Sequence, residues 1–98
     1  MVSLTDAKNY CRATDDDDIL IESLISASNS YMDGAIDGFS SMYEQAGQNW
    51  RAKADLCMKM LIADWYERRE PTERPSNSAI DLLITQLQLE KIQSENLS

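Results

Sequence analysis

The segment that most constrains the fold is residues 50–70, WRAKADLCMKMLIADWYERRE, whose apolar residues recur every three or four positions. This spacing is typical of one face of an α-helix. The face consists of Trp50, Ala54, Cys57, Met58, Leu61, Ile62 and Trp65. Pro71, a residue type disfavoured inside helices, closes the segment. No other stretch offers so large an apolar surface, so the sequence predicts a long central helix over about residues 50–70.

The N-terminal third predicts two further helices. Ser3 or Thr5 can cap a short helix that ends near Arg12. An aspartate of the run at residues 15–18 can cap a second, longer helix that ends near residue 33. Together with the central helix and a C-terminal helix, these two helices predict an all-α fold. The fold would be a small bundle of about four helices that forms one domain, residues 1–98.

Residues 33–48 hold all three glycines and are predicted to be a connector before the central helix. One helical turn near residues 39–43 would place apolar side chains on the core. A β-hairpin is the less favoured alternative, since no alternating apolar strands flank the glycines. Because binding residues often lie on such connectors, Phe39 and Tyr43 are candidate interface residues.

The C-terminal segment predicts a proline-containing loop, residues 71–77, and a last helix from residue 79 to about residue 93. One face of this helix carries Ile80, Leu83, Ile84 and Leu87, and a second apolar set carries Leu82, Leu89 and Ile92. A chain of 98 residues has a thin core, so the second set is a candidate partner interface. The alternative, a helix docked only on its own core, stays open.

The residue types argue against catalysis and against a bound metal or cofactor. The chain has no histidine, which removes Ser-His-Asp and Cys-His nucleophiles. Cys11 and Cys57 are isolated, so neither a zinc site nor a disulfide framework is indicated. The aspartates at residues 15–18 fail the EF-hand pattern, because the loop would lack its glycine and its last carboxylate ligand. They are interpreted as a solvated cap at a helix N-terminus.

The net charge of −8 is unevenly distributed along the chain. Residues 1–50 hold nine acids and two bases, a charge of −7, whereas residues 51–74 hold six bases and five acids. DNA binding by phosphate neutralisation needs a basic face, and this charge balance opposes it; if DNA is nearby, the chain is expected to confine it and not to grip it. No apolar run approaches the ~20 residues of a membrane span, and residues 1–6 lack the features of a signal peptide, so the cytoplasm is the expected location.

Three segments resemble a known family when they are taken in order. The first carries Leu4, Ala7, Lys8, Tyr10 and Arg12; the second carries Asp17, Leu20, Ile21, Leu24, Ile25, Ala27 and Tyr31; the third carries Trp65, Tyr66, Glu67, Arg69, Glu70 and Pro71. This order resembles the small phage and prophage head-tail connector proteins, which are DNA-packaging-like head completion adaptors. The signature residues of this resemblance are Leu20, Leu24, Tyr31, Leu61, Trp65, Tyr66, Glu67 and Arg69.

The resemblance implies a structural subunit of the virion, assembled in the host bacterial cytoplasm and without enzyme activity. It implies a ring of about twelve copies in which unlike faces meet, bound to the portal protein and a tail-completion protein, with DNA passing through the lumen without sequence-specific binding. After Ser76 the chain departs from the family pattern, with a longer glutamine-rich helix and an acidic tail. The alternative function is a small acidic protein-binding regulator, an adaptor or DNA-mimic inhibitor, that uses residues 15–18 and Glu22.

Overall fold

Five α-helices make up the part of the chain that the structure, a computed structural model, describes: residues 2–68 and 78–97, with side chains as far as residue 90. The helices are α1 (Leu4–Cys11), α2 (Asp18–Ala35), α3 (Phe39–Gln45), α4 (Gln48–Arg68) and α5 (Ser78–Leu97), and a 3₁₀ turn, Asp15–Asp17, precedes α2. No strand occurs in these residues. The predicted all-α fold is confirmed, and the hairpin alternative is wrong.

Helix α4 is the centre of the core. Every residue of its predicted apolar face is buried. Helix α5 runs antiparallel to α4, since the Trp50 indole N–H donates to the Leu87 carbonyl at 3.2 Å and the Cys57 sulfur lies 3.9 Å from the Ile80 carbonyl oxygen. Helix α2 covers the same face, with the Met32 sulfur 3.9 Å from that of Cys57.

The predicted cap of α1 is confirmed at Ser3. Its hydroxyl accepts a hydrogen bond from the Asp6 backbone N–H at 3.1 Å, and its own N–H donates to the Asp6 carboxylate at 3.4 Å. The pair is a capping box, which satisfies two of the free N–H groups at the helix start. Arg12 ends α1 in the left-handed conformation, with φ 56°.

The predicted connector at residues 33–48 is wrong in its extent. Helix α2 continues through Gly34 to Ala35, and α3 spans two turns where one was expected. A glycine costs a helix about 1 kcal/mol relative to alanine, but Met32 and Ile36 beside it are 0% and 1% exposed, and their burial outweighs that cost. The chain turns at Gly38 instead, where φ is 69°.

Helix α3 is held against the start of α4 by aromatic and polar contacts. The Phe39 and Trp50 rings lie 5.7 Å apart, and the Tyr43 ring lies 6.5 Å from Trp50. The Arg51 guanidinium donates to the Tyr43 and Glu44 carbonyls at 2.6 Å, where a cation suits the C-terminal end of a helix.

The aspartate run before α2 contacts other helices: Asp17 stands at the N-cap position of α2, but its side chain makes no capping hydrogen bond. Lys8 of α1 pairs with Asp15 and, at 2.8 Å, with Asp18. The Tyr66 hydroxyl of α4 donates to the Asp17 carboxylate. The interpretation of the run as a solvated cap therefore holds only in part: Asp15 and Asp16 are exposed, but Lys8 of α1 and Tyr66 of α4 reach the run and join α1, the 3₁₀ turn and α4.

Trp65 is the largest fully buried side chain of the described residues, and its replacement tests the packing. It is 1% exposed and meets the Tyr31 ring edge to face at 5.9 Å. We expect Trp65→Ala to lower the free energy of unfolding by about 3–5 kcal/mol, because the cavity cannot fully collapse. Chemical denaturation measures the change. The exposed Leu82→Ala should change stability by less than about 0.5 kcal/mol, and equal effects of the two would contradict this packing.

The Lys8 contacts predict a specific loss of stability in acid. Hydrogen bonding to Lys8 lowers the pKa of Asp15 below 3.8. A carboxyl with a lowered folded-state pKa stabilises the fold above its unfolded pKa, and this stabilisation is lost as the pH falls through the folded value. Lys8→Met should therefore show a smaller drop in melting temperature between neutral pH and pH values below 3.8 than the parent chain does.

The matched control for this prediction is Arg12→Gln, which removes the same charge from the same end of α1. Arg12 takes part in none of the ion pairs recorded among the described residues. Its acid dependence should equal that of the parent chain. A Lys8→Met variant with unchanged acid dependence, measured by circular dichroism melts, would show that the contact does not stabilise the fold.

Candidate assembly surface

The outer face of α5 carries two exposed leucines. Leu82 is 65% exposed and Leu89 is 53% exposed. They lie seven residues apart and therefore on one side of the helix, opposite the buried Ile80 and Leu87. The exposed residues between them, Thr85 and Gln86, are uncharged. We call this strip, residues 82, 85, 86 and 89, the α5 face.

The other predicted interface residues lie elsewhere. Phe39 is 1% exposed and packs in the core, so its side chain presents no surface to a neighbour. Tyr43 is half-buried, and its hydroxyl donates to the Asp55 carboxylate at 2.9 Å. Burial and then this hydrogen bond raise the pKa of Tyr43 to about 12, so it stays a neutral donor. The Ile92 side chain lies outside the described residues.

The signature residues belong mainly to the core. Leu24, Leu61 and Trp65 are buried, and Leu20, Tyr31 and Tyr66 pack partly buried against them. Burial raises the pKa of Tyr31. Glu67 is exposed, and Arg69 lies outside the described residues. The resemblance therefore rests largely on core residues that determine the fold of the subunit.

A second exposed strip was missed by the sequence interpretation. Leu56 of α4 is 42% exposed, and it lies opposite the buried face of that helix, between Ala52 and Ala63. We call residues 52, 56, 59 and 63 the α4 face. Its signal in the sequence is a leucine placed off the apolar stripe, flanked at helical spacing by alanines.

Ile19, at the start of α2, was also missed and is 81% exposed. It stands among the acidic residues of the run and Glu22. Asp17 and Asp18 are partly buried and bound by Tyr66 and Lys8, whereas Asp15, Asp16 and Glu22 are exposed. The acidic surface at this end of α2 is therefore smaller than the sequence suggests.

The charged seam between α4 and α5 lies beside both exposed strips. Lys53 of α4 bonds to Glu90 of α5 at 2.5 Å, and both side chains are 39% exposed. A pair so exposed contributes at most about 1 kcal/mol. Its effect here is to neutralise both charges next to the uncharged α5 face.

The described cysteines are buried or half-buried thiols. Burial, and then nearby acids, raise the pKa of the Cys11 thiol and bring that of Cys57 to about 12, so both are protonated at neutral pH and are poor nucleophiles. No group of three or more cysteine or acidic side chains in residues 2–68 and 78–90 could hold a metal ion. None of the described helices combines the length and apolar character of a membrane span.

The comparisons with known proteins point to one family. The family model of the phage gp6-like head-tail connector protein matches residues 1–94. Neither the curated proteins nor the solved structures gave a match. The match spans nearly the whole chain and agrees with the resemblance carried by the three segments. The protein therefore belongs to the phage gp6-like head-tail connector family, whose members are structural components of the virion.

Proposed function

We propose that residues 1–98 form one domain that assembles as a ring on the portal protein, seals the DNA-filled head and presents a surface to a tail-completion protein. The ring has about twelve subunits in which unlike faces meet. The subunit carries out no catalytic step and assembles in the host bacterial cytoplasm. Its role is structural and depends on its shape and its contacts.

The α5 face is the observation that carries the proposal beyond the family. Two leucines more than half exposed on one helix side, with only uncharged residues between them, are an apolar surface without a covering element among the described residues. Apolar residues with few charges are typical of the core of a protein interface. A subunit that assembles into a ring needs such a surface. The packing of the subunit itself does not use these two leucines.

The charge distribution supports passage of DNA without binding. The chain carries −8, of which −7 lies in residues 1–50. Affinity for duplex DNA comes mainly from neutralised phosphates, so an acidic lumen would leave the duplex free to slide. Two of the bases, Lys8 and Lys53, are already paired, Lys8 with aspartates and Lys53 with Glu90.

The acidic-regulator alternative draws less support from the structure. A DNA mimic needs an array of free carboxylates, but Asp15, Asp17 and Asp18 bond to Lys8 and Tyr66 within the subunit. Their use as a partner surface would require these contacts to break. The connector function leaves them in place.

Assembly is the first test of the proposal. The purified protein, alone and with the portal protein of the same phage, should form ring-sized species in native mass spectrometry and sedimentation. Leu82→Asp with Leu89→Asp should prevent it, because two carboxylates would be desolvated in the contact. The control, Ser23→Asp with Ser26→Asp, adds the same charge at exposed positions of α2. A parent chain that stays monomeric with and without portal would disprove the ring.

DNA binding is the second test. Fluorescence anisotropy with a labelled duplex should give a dissociation constant weaker than about 10⁻⁴ M at physiological salt, the weak end of non-specific binding. Its salt dependence should be close to flat, because few phosphates are neutralised. Tight binding that weakens steeply with salt would contradict a lumen through which DNA slides.

A further inference from the structure

Helix α1 is attached to the core by few apolar side chains. It has eight residues, of which Ala7 is buried, while Leu4 and Cys11 are partly buried. Val2, just before the helix, is 6% exposed. The helix ends at Arg12 in the left-handed conformation, which a residue with a Cβ atom adopts only at a cost in free energy. Since an isolated helix shorter than about 12–15 residues is marginal in water, the remaining contacts of α1 decide whether it stays in place.

Helix α1 lies along the side of α4 that carries Met58, Ile62 and Tyr66. These three residues are four positions apart and therefore share one side of the helix. Burial and then the charge of Glu67 raise the pKa of the Cys11 thiol, so the end of α1 lies near the end of α4. Met58 and Ile62 are 0% exposed. Because α1 contacts both α4 and α2, it contributes to covering these two side chains.

Polar contacts hold the C-terminal end of α1. Lys8 pairs with Asp15 of the 3₁₀ turn and, at 2.8 Å, with Asp18 at the start of α2. The Tyr66 hydroxyl donates to the carboxylate of Asp17 in the same turn. We call these five residues the polar latch. The turn is thus held by α1 on one side and by α4 on the other, which ties α1 to both long helices.

We infer that α1 is a lid that opens as a unit about residues 12–14, that the polar latch keeps it closed, and that α2, α4 and α5 stay folded when it opens. Opening breaks few buried apolar contacts, so it requires less free energy than global unfolding. It uncovers the apolar side chains of Met58 and Ile62, while Leu61 and Trp65 remain packed against α2. The inference concerns the single subunit and does not depend on ring assembly.

The two cysteines distinguish opening of the lid from global unfolding. Cys11 is half-buried at the end of α1, whereas Cys57 is buried in α4, with its sulfur 3.9 Å from the Met32 sulfur and from the Ile80 carbonyl oxygen. Alkylation by N-ethylmaleimide, followed by peptide mass spectrometry, gives both rates in one sample of the full chain. Each rate is divided by that of the same thiol in urea-unfolded protein. Cys11 should react roughly 100-fold faster than Cys57 or more, because the lid opens without the core.

Variants of the polar latch test what keeps the lid closed. Tyr66→Phe should raise the alkylation rate of Cys11 about tenfold or more, since a hydrogen bond to a charged carboxylate is lost while the ring remains. Lys8→Met should raise it only about two- to fivefold, because the Asp15 side chain is 93% exposed and such ion pairs are weak. The control, Tyr10→Phe, removes the same hydroxyl from a tyrosine of α1 that is 45% exposed. It should leave the rate unchanged.

A core variant tests whether the lid opens separately. Ile84→Val shortens a buried side chain of α5 and should raise the Cys57 rate about two- to tenfold through global unfolding. It should not change the Cys11 rate. An equal increase at both cysteines would mean that α1 is released only when the whole subunit unfolds.

Hydrogen exchange of backbone amides provides the second readout, which does not depend on how Cys11 is reached by the reagent. The amides of α1 should exchange together, faster than those of α4, and faster again in Tyr66→Phe. Amides of α1 that exchange as slowly as those of α4 would overturn the lid. Exchange and alkylation that are both unchanged in Tyr66→Phe would overturn the latch.

Discussion

Burial of one face of α4 is the constraint on which the rest of the structure depends. Seven side chains of that helix, including both tryptophans, are buried, more than in any other helix among the described residues. Helices α1, α2 and α5 cover it, and α3 closes it around Trp50. At roughly 1.5–3 kcal/mol for each large apolar side chain buried, this face dominates the favourable terms. The shorter helices could not be stable without it.

The long helices could be predicted because their apolar residues recur at helical spacing. The spacing of apolar residues in residues 50–70 identified every buried position of α4, and Ser3 identified the start of α1. The glycines were harder to interpret. Gly34 and Gly38 both follow an aspartate, but only Gly38 has a positive φ, and a side chain at Gly34 would meet no atom within 4 Å. Which glycine bends the chain depends on tertiary burial of its neighbours, which local sequence does not contain.

Contacts between distant residues explain the remaining differences. Asp17 and Tyr66 are far apart in sequence, and no local pattern pairs them, so the aspartate run was expected to be solvated. The prediction of the candidate surface was limited in the same way. Spacing on α5 correctly separated Leu82 and Leu89 from the core face, whereas a single turn around Phe39 was too short to define a face, and the structure buries that ring. Leu56 was overlooked because the buried apolar face of α4 already explained why these residues form a helix.

The exposed leucines and the acidic charge have one explanation in common. Acidic subunits repel one another, and this repulsion acts over about 10 Å at moderate salt. Apolar contact acts only where surfaces touch. In the proposed ring, a strong overall charge would keep copies from joining at random, and a narrow uncharged strip would let them pack closely at one contact. The α5 face is such a strip on a subunit of charge −8, and Lys53 and Glu90 beside it neutralise each other.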